Sequence, residues 1–348
     1  MRYALLVAPS ANRVYADQAG ALALAELGVV SEEILGGALG EARQERLGGV
    51  DYVTFSSPAL SETARQWLSN LAATFALFGL EDGKLTPVDL QRWDELDSDL
   101  VSIQKYSGKT NEAFTKLLLN VTLAASDFGK QPRRALHVLD PLCGRGTTLN
   151  QALTYGFHAT GVEHDAKDFE AYCLFIQRWV KDKRLKHEAT IGKVKGLPKL
   201  DLALGVDKER YKAGELLRIT YVNADTLDVA RAFQPRSFDL LVTDAPYGVQ
   251  HGSRSEAGQS RRPLELLTEA LPVWRAALRP GGAIGIAWNN HVLRREQLAK
   301  LLEQNGLSVC DSEAWRGFEH RVDSSIQRDL IVARWGRGPS DHETVTSP

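Results

Sequence analysis

The residues best suited to chemistry are Asp244-Ala245-Pro246-Tyr247-Gly248. An apolar run, Phe238-Asp239-Leu240-Leu241-Val242-Thr243, leads into them and predicts a buried strand with Asp244 at its tip. Pro246 biases Ala245 toward an extended backbone and aims its carbonyl outward, so a carboxylate and a carbonyl stand side by side. Two such acceptors can hold both N–H bonds of a planar exocyclic amine. That favours pyramidalisation and turns the ring-delocalised lone pair toward an electrophile. Tyr247 offers a face on which a base could stack, and Gly248 leaves room for close approach. No strong base is needed, because the amine can lose its proton after the new bond has formed. Alignment and electrostatic preorganisation would carry the catalysis.

A second constellation supplies the electrophile's side. Asp140-Pro141-Leu142-Cys143-Gly144-Arg145-Gly146-Thr147-Thr148-Leu149 follows the apolar segment 135–139 and precedes a helix that starts near Asn150 and ends near Gly156. A strand, a glycine turn and a helix in that order make the first unit of a doubly wound α/β sheet. Gly144 and Gly146 allow a tight turn and close approach of a ligand, which the amides at the helix start then face. Leu149 stands where a dinucleotide turn would place its third glycine. Asp140 would repel a pyrophosphate and attract a cation, such as the sulfonium or amino group of S-adenosylmethionine. The cofactor-side candidates at this turn are Asp140, Pro141, Cys143, Gly144, Gly146 and Thr147, together with Asp244. Segment 159–163 predicts a second strand ending in Glu163, placed to accept hydrogen bonds from ribose hydroxyls, with His164 beside it. Segment 217–222 predicts a third, followed by Asn223-Ala224-Asp225, where Asp225 is the candidate for an adenine amino group. Thr110 and Asn111 are further candidates at the start of a helical pattern through Phe114, Leu117, Leu118 and Val121, which reads either as a core helix covering one sheet face or as a lid over the methionine end of a donor.

Composition bounds the partners. The 348 residues suggest two domains, and a net charge of −2 rules out bulk attraction as an argument for nucleic acid, leaving only local patches. The three cysteines, Cys143, Cys173 and Cys310, form no C-x-x-C pair, so no metal site is expected and a reducing cytoplasm fits. No apolar run reaches membrane-spanning length, and no signal peptide is expected.

The elements that must position these residues follow in chain order. Residues 1–100 predict a small α+β domain: strands over 3–8, 51–55, 73–80 and 85–90, a helix over 15–27, and another opening at Pro58-Ala59-Leu60-Ser61-Glu62. This unit carries no catalytic cluster and reads as a packing or RNA-docking module. Residues 92–106 read as an acidic linker. Residues 101–335 predict the Rossmann-like domain. Its second helix, over 169–180, is followed by a basic stretch to Lys199, read as a solvated face or a phosphate contact. Arg254, Arg261 and Arg262 lie in a polar loop after the site and are candidate substrate contacts along with Tyr247 and Gly248. A helix over 264–278, a turn at Arg279-Pro280-Gly281-Gly282, a strand over 283–288, a helix over 297–305 and strands over 307–309 and 330–335 complete the domain. Residues 336–348 read as a disordered tail.

With these residues in place the chain resembles the class I S-adenosylmethionine-dependent methyltransferases of the amino-modifying type. It is most similar to the tRNA guanosine-N2 methyltransferases related to THUMP-bearing enzymes. The stretches that carry the resemblance are Tyr106-Ser107-Gly108-Lys109-Thr110-Asn111, residues 140–148, Val162-Glu163, Asn223-Ala224-Asp225 and residues 244–248, all within 105–335. The resemblance implies that Asp140, Gly144, Gly146, Glu163 and Asp225 hold the donor, and that Asp244, Ala245, Pro246 and Tyr247 hold the base. Ala245 replaces the first proline of many amino methylases, a change that keeps the backbone carbonyl. The expected partner is tRNA, with an accessory protein subunit left open. Methylation of adenine N6 or cytosine N4 in DNA, and RNA binding without turnover, are the competing readings.

Overall fold

The computed structural model describes residues 1–10, 12–106, 108–131, 135–246 and 263–336; Tyr247, Gly248, Arg254, Arg261, Arg262 and the expected tail from residue 337 lie outside the described residues. The first elements are β1 (Arg2–Val7), α1 (Arg13–Glu33), β2 (Gly40–Leu47), β3 (Val50–Ser56), α2 (Glu62–Asn70), β4 (Thr74–Glu81) and β5 (Lys84–Val88). Their strands form an antiparallel sheet in the order β2-β3-β1-β4-β5. Tyr3, Leu5, Val53, Phe55 and Leu77 share one face of it and enter the same core as Leu22, Leu27 and Trp67 of the helices. Helix α1 is alanine- and leucine-rich and starts where the Asn12 side chain accepts a hydrogen bond from the Tyr15 amide. Within the expected opening segment of α2 it is Ser61 that caps the helix, accepting from the Ala64 amide, so the helix starts later than Pro58.

The chain continues through α3 (Asp99–Ser102), α4 (Glu112–Ala125), β6 (His137–Asp140), α5 (Thr147–Thr154), β7 (His158–Glu163), α6 (Ala166–Asp182), β8 (His187–Val194), β9 (Leu197–Leu204), α7 (Lys208–Ala213) and β10 (Leu217–Asn223). It ends with α8 (Val229–Ala232), β11 (Phe238–Asp244), α9 (Pro263–Ala277), β12 (Leu278–Asn289), α10 (Arg295–Gln304), β13 (Ser308–Val309), β14 (His320–Arg321) and β15 (Gln327–Arg334). These strands form one sheet, β13-β15-β12-β11-β6-β7-β10-β9-β8, with β14 on β15. Strands β10, β7, β6, β11 and β12 are parallel. From β6 the chain winds outward through β7 to β10, then returns to the other side of β6 for β11 and β12. The winding direction reverses between β6 and β11, and a ligand crevice belongs at the carboxyl ends of strands at such a point. This is the Rossmann-like fold expected from the sequence.

Three segments depart from expectation. The basic stretch after α6 is the β8–β9 hairpin, which extends the sheet beyond β10. The 279–282 segment does not precede its strand: β12 begins at Leu278 and carries those residues as a bulge, since Phe238 pairs with Leu278 but Leu240 with Ala283. The acidic 92–106 segment is packed rather than a free linker. Trp93 and Leu100 are buried, and Asp97 and Asp99 both pair with Lys183 at 2.7 Å. Among the described residues no helix is long and apolar enough to cross a membrane, and no cluster of His, Cys, Asp or Glu could hold a metal ion.

Candidate functional site

Two strand tips meet at the reversal point. Asp140 ends β6 and Asp244 ends β11, its neighbour. They are laced together: the Thr243 hydroxyl donates to Asp140 Oδ1 at 2.8 Å. Both aspartates line a cleft of about 290 Å³ that is also lined by Thr110, Cys143, Gly144, Thr147, Ala245 and Pro246. Eight sequence-derived candidates therefore share one opening.

The turn over β6 has the expected backbone. Gly144 and Gly146 take φ of +48° and +76°, a region that disfavours side chains. A Cβ on Gly146 would stand 2.4 Å from the Tyr172 ring, so this glycine sits against the core instead of in the cleft. A Cβ on Gly144 would meet no atom within 4 Å, so the space above it is open to a ligand. The Gly144 amide donates to Glu163 Oε2 at 2.8 Å, and the Asp165 amide donates to Oε1 at 2.7 Å. Glu163 thus braces the turn from the tip of β7. Burial raises its pKa against those two amides.

Asp140 is only 3% exposed, and burial pushes its pKa up to about 7 despite hydrogen bonds from Thr148, Thr243 and the Leu142 amide. A nearby positive charge would draw it back toward the ionised form. Burial also raises the Cys143 thiol well above its ordinary range, so this cysteine is a wall and not a nucleophile.

The remaining candidates are distributed along the sheet edge. Asn111 caps α4 by accepting from the Phe114 amide at 3.1 Å and does not line the cleft. Pro141 is buried within the turn, and His164 is exposed beyond it. The Asn223 side chain donates to the carbonyls of Glu163 and His164 at 2.8 and 3.1 Å, which ties the tips of β7 and β10 together. Ala224 is buried, and Asp225 accepts from the Leu227 amide at 2.9 Å at the head of a single 3₁₀ turn.

Tyr106 and Arg145, which sequence spacing does not single out, also line the cleft, and Arg328 reaches Asp244 without lining it. The Tyr106 hydroxyl lies 3.2 Å from Thr147 Oγ1, and the Arg145 guanidinium sits 4.9 Å above the Tyr106 ring while bonding Asp168 at 2.7 Å. Lys109 fastens this segment to the carbonyls of Val101 and Gln104. Thr110 donates to Asp244 Oδ2 at 2.8 Å. The same oxygen takes a longer, 3.4 Å bond from Arg328, a buried residue of β15 whose guanidinium lies 4.5 Å over the Phe114 ring. Arg145 carried a signal, being the charged residue between the two glycines. Arg328 carried none, since it comes from a strand far downstream.

Fold and site define a doubly wound α/β protein with a ligand cleft at the reversal point of its sheet. No protein-family model matches the chain, and no curated protein matches it either. The chain is similar, at low identity, to several solved structures. TrmN from Thermus thermophilus is 15% identical over 84% of this chain and 59% of that one, with a TM-score of 0.39. The PH0226 protein from Pyrococcus horikoshii OT3 is 13% identical over 59% of this chain and 84% of that one, with a TM-score of 0.36. A TehB-like SAM-dependent methyltransferase from Corynebacterium glutamicum ATCC 13032 Kitasato is 16% identical over 58% of this chain and 81% of that one, with a TM-score of 0.32. The chain spans little more than half the length of TrmN.

Proposed function

We propose that the chain is an S-adenosylmethionine-dependent N-methyltransferase acting on an exocyclic amine of a nucleic-acid base, with guanine N2 in tRNA as the substrate. One observation carries the reading: two carboxylates at neighbouring strand tips, Asp140 and Asp244, open on the same cleft beside a glycine whose Cβ position is open. The donor set suits a cationic ligand: Asp140 and Asp244 contribute oxygens, and an arginine at the cleft, Arg145, is already paired with Asp168.

When bound, S-adenosylmethionine supplies an electrophilic methyl group. The chain's own residues divide the remaining work. Asp140 and the amides at the start of α5 hold the methionine end, Glu163 takes the ribose hydroxyls, and Asp225 takes the adenine amine, with Asn111, His164, Asn223 and Ala224 shaping that edge. On the acceptor side, Asp244 and the Ala245 carbonyl hold the two N–H bonds of the base. Tyr247 stacks on the ring, and Arg254, Arg261 and Arg262 meet phosphates. A base within a stem must be flipped out to reach Asp244, so local unstacking forms part of recognition. The choice of tRNA and of guanine N2 is supported by the resemblance of the quoted motifs to the guanosine-N2 family.

The test is transfer of labelled methyl groups to bulk tRNA and to DNA, followed by nucleoside analysis. N2-methylguanosine in tRNA is expected. Label in DNA alone would replace the substrate with adenine N6 or cytosine N4, and donor-product binding without any transfer would make the chain a binding protein.

A further inference from the structure

Asp244 is held from two directions by residues far apart in the chain. Thr110 precedes α4 and Arg328 lies on β15, yet both donate to the same oxygen, Oδ2. Arg328 reaches Asp244 past the end of β12, where Asn289 pairs with Arg328 and Ala287 with Asp244. Its side chain is 5% exposed and its guanidinium rests on Phe114. A buried arginine is kept where something needs a permanent positive charge or a fixed planar donor. Beside it the buried His320, its pKa lowered to about 4 chiefly by burial, adds no charge at neutral pH.

We propose that Arg328 and Thr110 are positioning residues for the methyl acceptor, fixing the rotation of the Asp244 carboxylate that receives the amine. The proposal rests on the methyltransferase reading. A carboxylate oxygen accepts hydrogen bonds from the amine N–H bonds, so the direction in which it points sets where the amine nitrogen sits. Two donors on one oxygen also stop the carboxylate from swinging out of line, and small misplacements of a reacting group cost large factors in rate. On this reading Thr110 serves the acceptor's side of the site as well as the donor's.

The test compares wild type with Arg328→Met, Arg328→Lys and Thr110→Val in methyl transfer to tRNA. Met keeps the stem packed on Phe114 without charge, and Val keeps the shape of threonine without its hydroxyl. Arg328→Met should lower kcat by about 100-fold, and Thr110→Val by about tenfold, magnitudes typical of lost alignment and charge stabilisation. The KM for tRNA, and calorimetric binding of S-adenosylhomocysteine, should each stay within about threefold of wild type. Arg328→Lys should recover about tenfold of the loss, because it restores the charge but not the fork. A merely structural arginine would move the melting temperature and both affinities together, with no rescue by lysine. An active wild type with unchanged kcat in Arg328→Met and Thr110→Val overturns the positioning role alone. Loss of S-adenosylhomocysteine binding in Thr110→Val returns that hydroxyl to the donor and overturns the shared grip. A wild-type chain that transfers no methyl group to any nucleic acid overturns the methyltransferase reading and this role with it.

Discussion

At the scale of single residues the two aspartates and the two glycines ask for different tests. Asp244→Ala removes the acceptor that holds the amine while leaving the turn over β6 untouched. Transfer should fall by about 100-fold or more, with S-adenosylhomocysteine binding nearly unchanged; this is the range that removing a positioned catalytic group commonly costs. Unaltered turnover would contradict the assignment. The glycines separate stability from binding. Gly146→Ala forces a Cβ into the Tyr172 ring at a φ of +76°, so it should lower unfolding free energy by about 1–3 kcal/mol in urea titration. Gly144→Ala meets no protein atom and should cost only about 1 kcal/mol of stability, from the left-handed backbone alone. Its methyl group would instead project into the open space above the turn, so donor-product affinity should fall well beyond what the stability loss explains. Equal affinity for wild type and Gly144→Ala would mean that the ligand lies elsewhere.

At the scale of elements, helices α1 and α4 meet around a buried acid. Glu26 accepts from the Asn120 side chain at 2.7 Å and the Ala72 amide at 2.9 Å, and burial pushes its pKa from 4.5 up to about 7. Between those two values the folded chain keeps a proton that the unfolded chain has released. Stability from this group is therefore complete below about pH 4.5 and is lost as pH rises through about 7. Asp140 has the same sign, whereas the half-buried His137 and the buried His320, both lowered to about 4, contribute stability that is lost as pH falls from 6.5 toward 4. Glu26→Gln should isolate the first contribution: its unfolding free energy relative to wild type should rise as pH is raised from about 4.5 to about 7. A flat difference across that window would show that the acid is not buried in solution. Elements differ as much in how plainly the sequence announced them. The β6 turn was legible because Gly144, Gly146 and a preceding apolar run are local signals. The edge strand β2 was not: Gly-Glu-Ala-Arg-Gln-Glu-Arg-Leu has no apolar alternation because neither face is covered. The β8–β9 hairpin hid behind its lysines for the same reason, with β8 largely exposed. Arg328 was invisible because its meaning lies in a partner on another strand, and only the register of β12 with β15 brings the two together.

At the scale of the whole molecule, the question is whether the first hundred residues form a separate docking module. The contacts argue for a structural part in the half that carries the cleft. Trp67 donates from its indole to the Gly129 carbonyl at 3.2 Å, Gln18 exchanges two hydrogen bonds with the Arg321 backbone, and Arg334 pairs with Glu33 at 2.6 Å. One hydrophobic core runs from Leu5 and Leu27 through Phe114 and Leu119 to Val138 and Leu330. The Tyr15 ring meets His320 edge-on at 6.4 Å, His320 lies 5.0 Å from Phe114, and Phe114 carries Arg328, so α1 touches residues that stand directly behind Asp244. Removing residues 1–90 would strip the cover from α4, whose Phe114, Leu117, Leu119 and Leu123 are almost wholly buried. A fully exposed leucine or phenylalanine forfeits about 1.5–3 kcal/mol of burial, and a few of them equal the net stability of a typical domain. The chain from residue 91 onward should therefore show no cooperative thermal transition and no S-adenosylhomocysteine binding, as followed by circular dichroism and calorimetry. A sharp transition with intact binding would instead make the N-terminal sheet an appendage, with its role confined to docking.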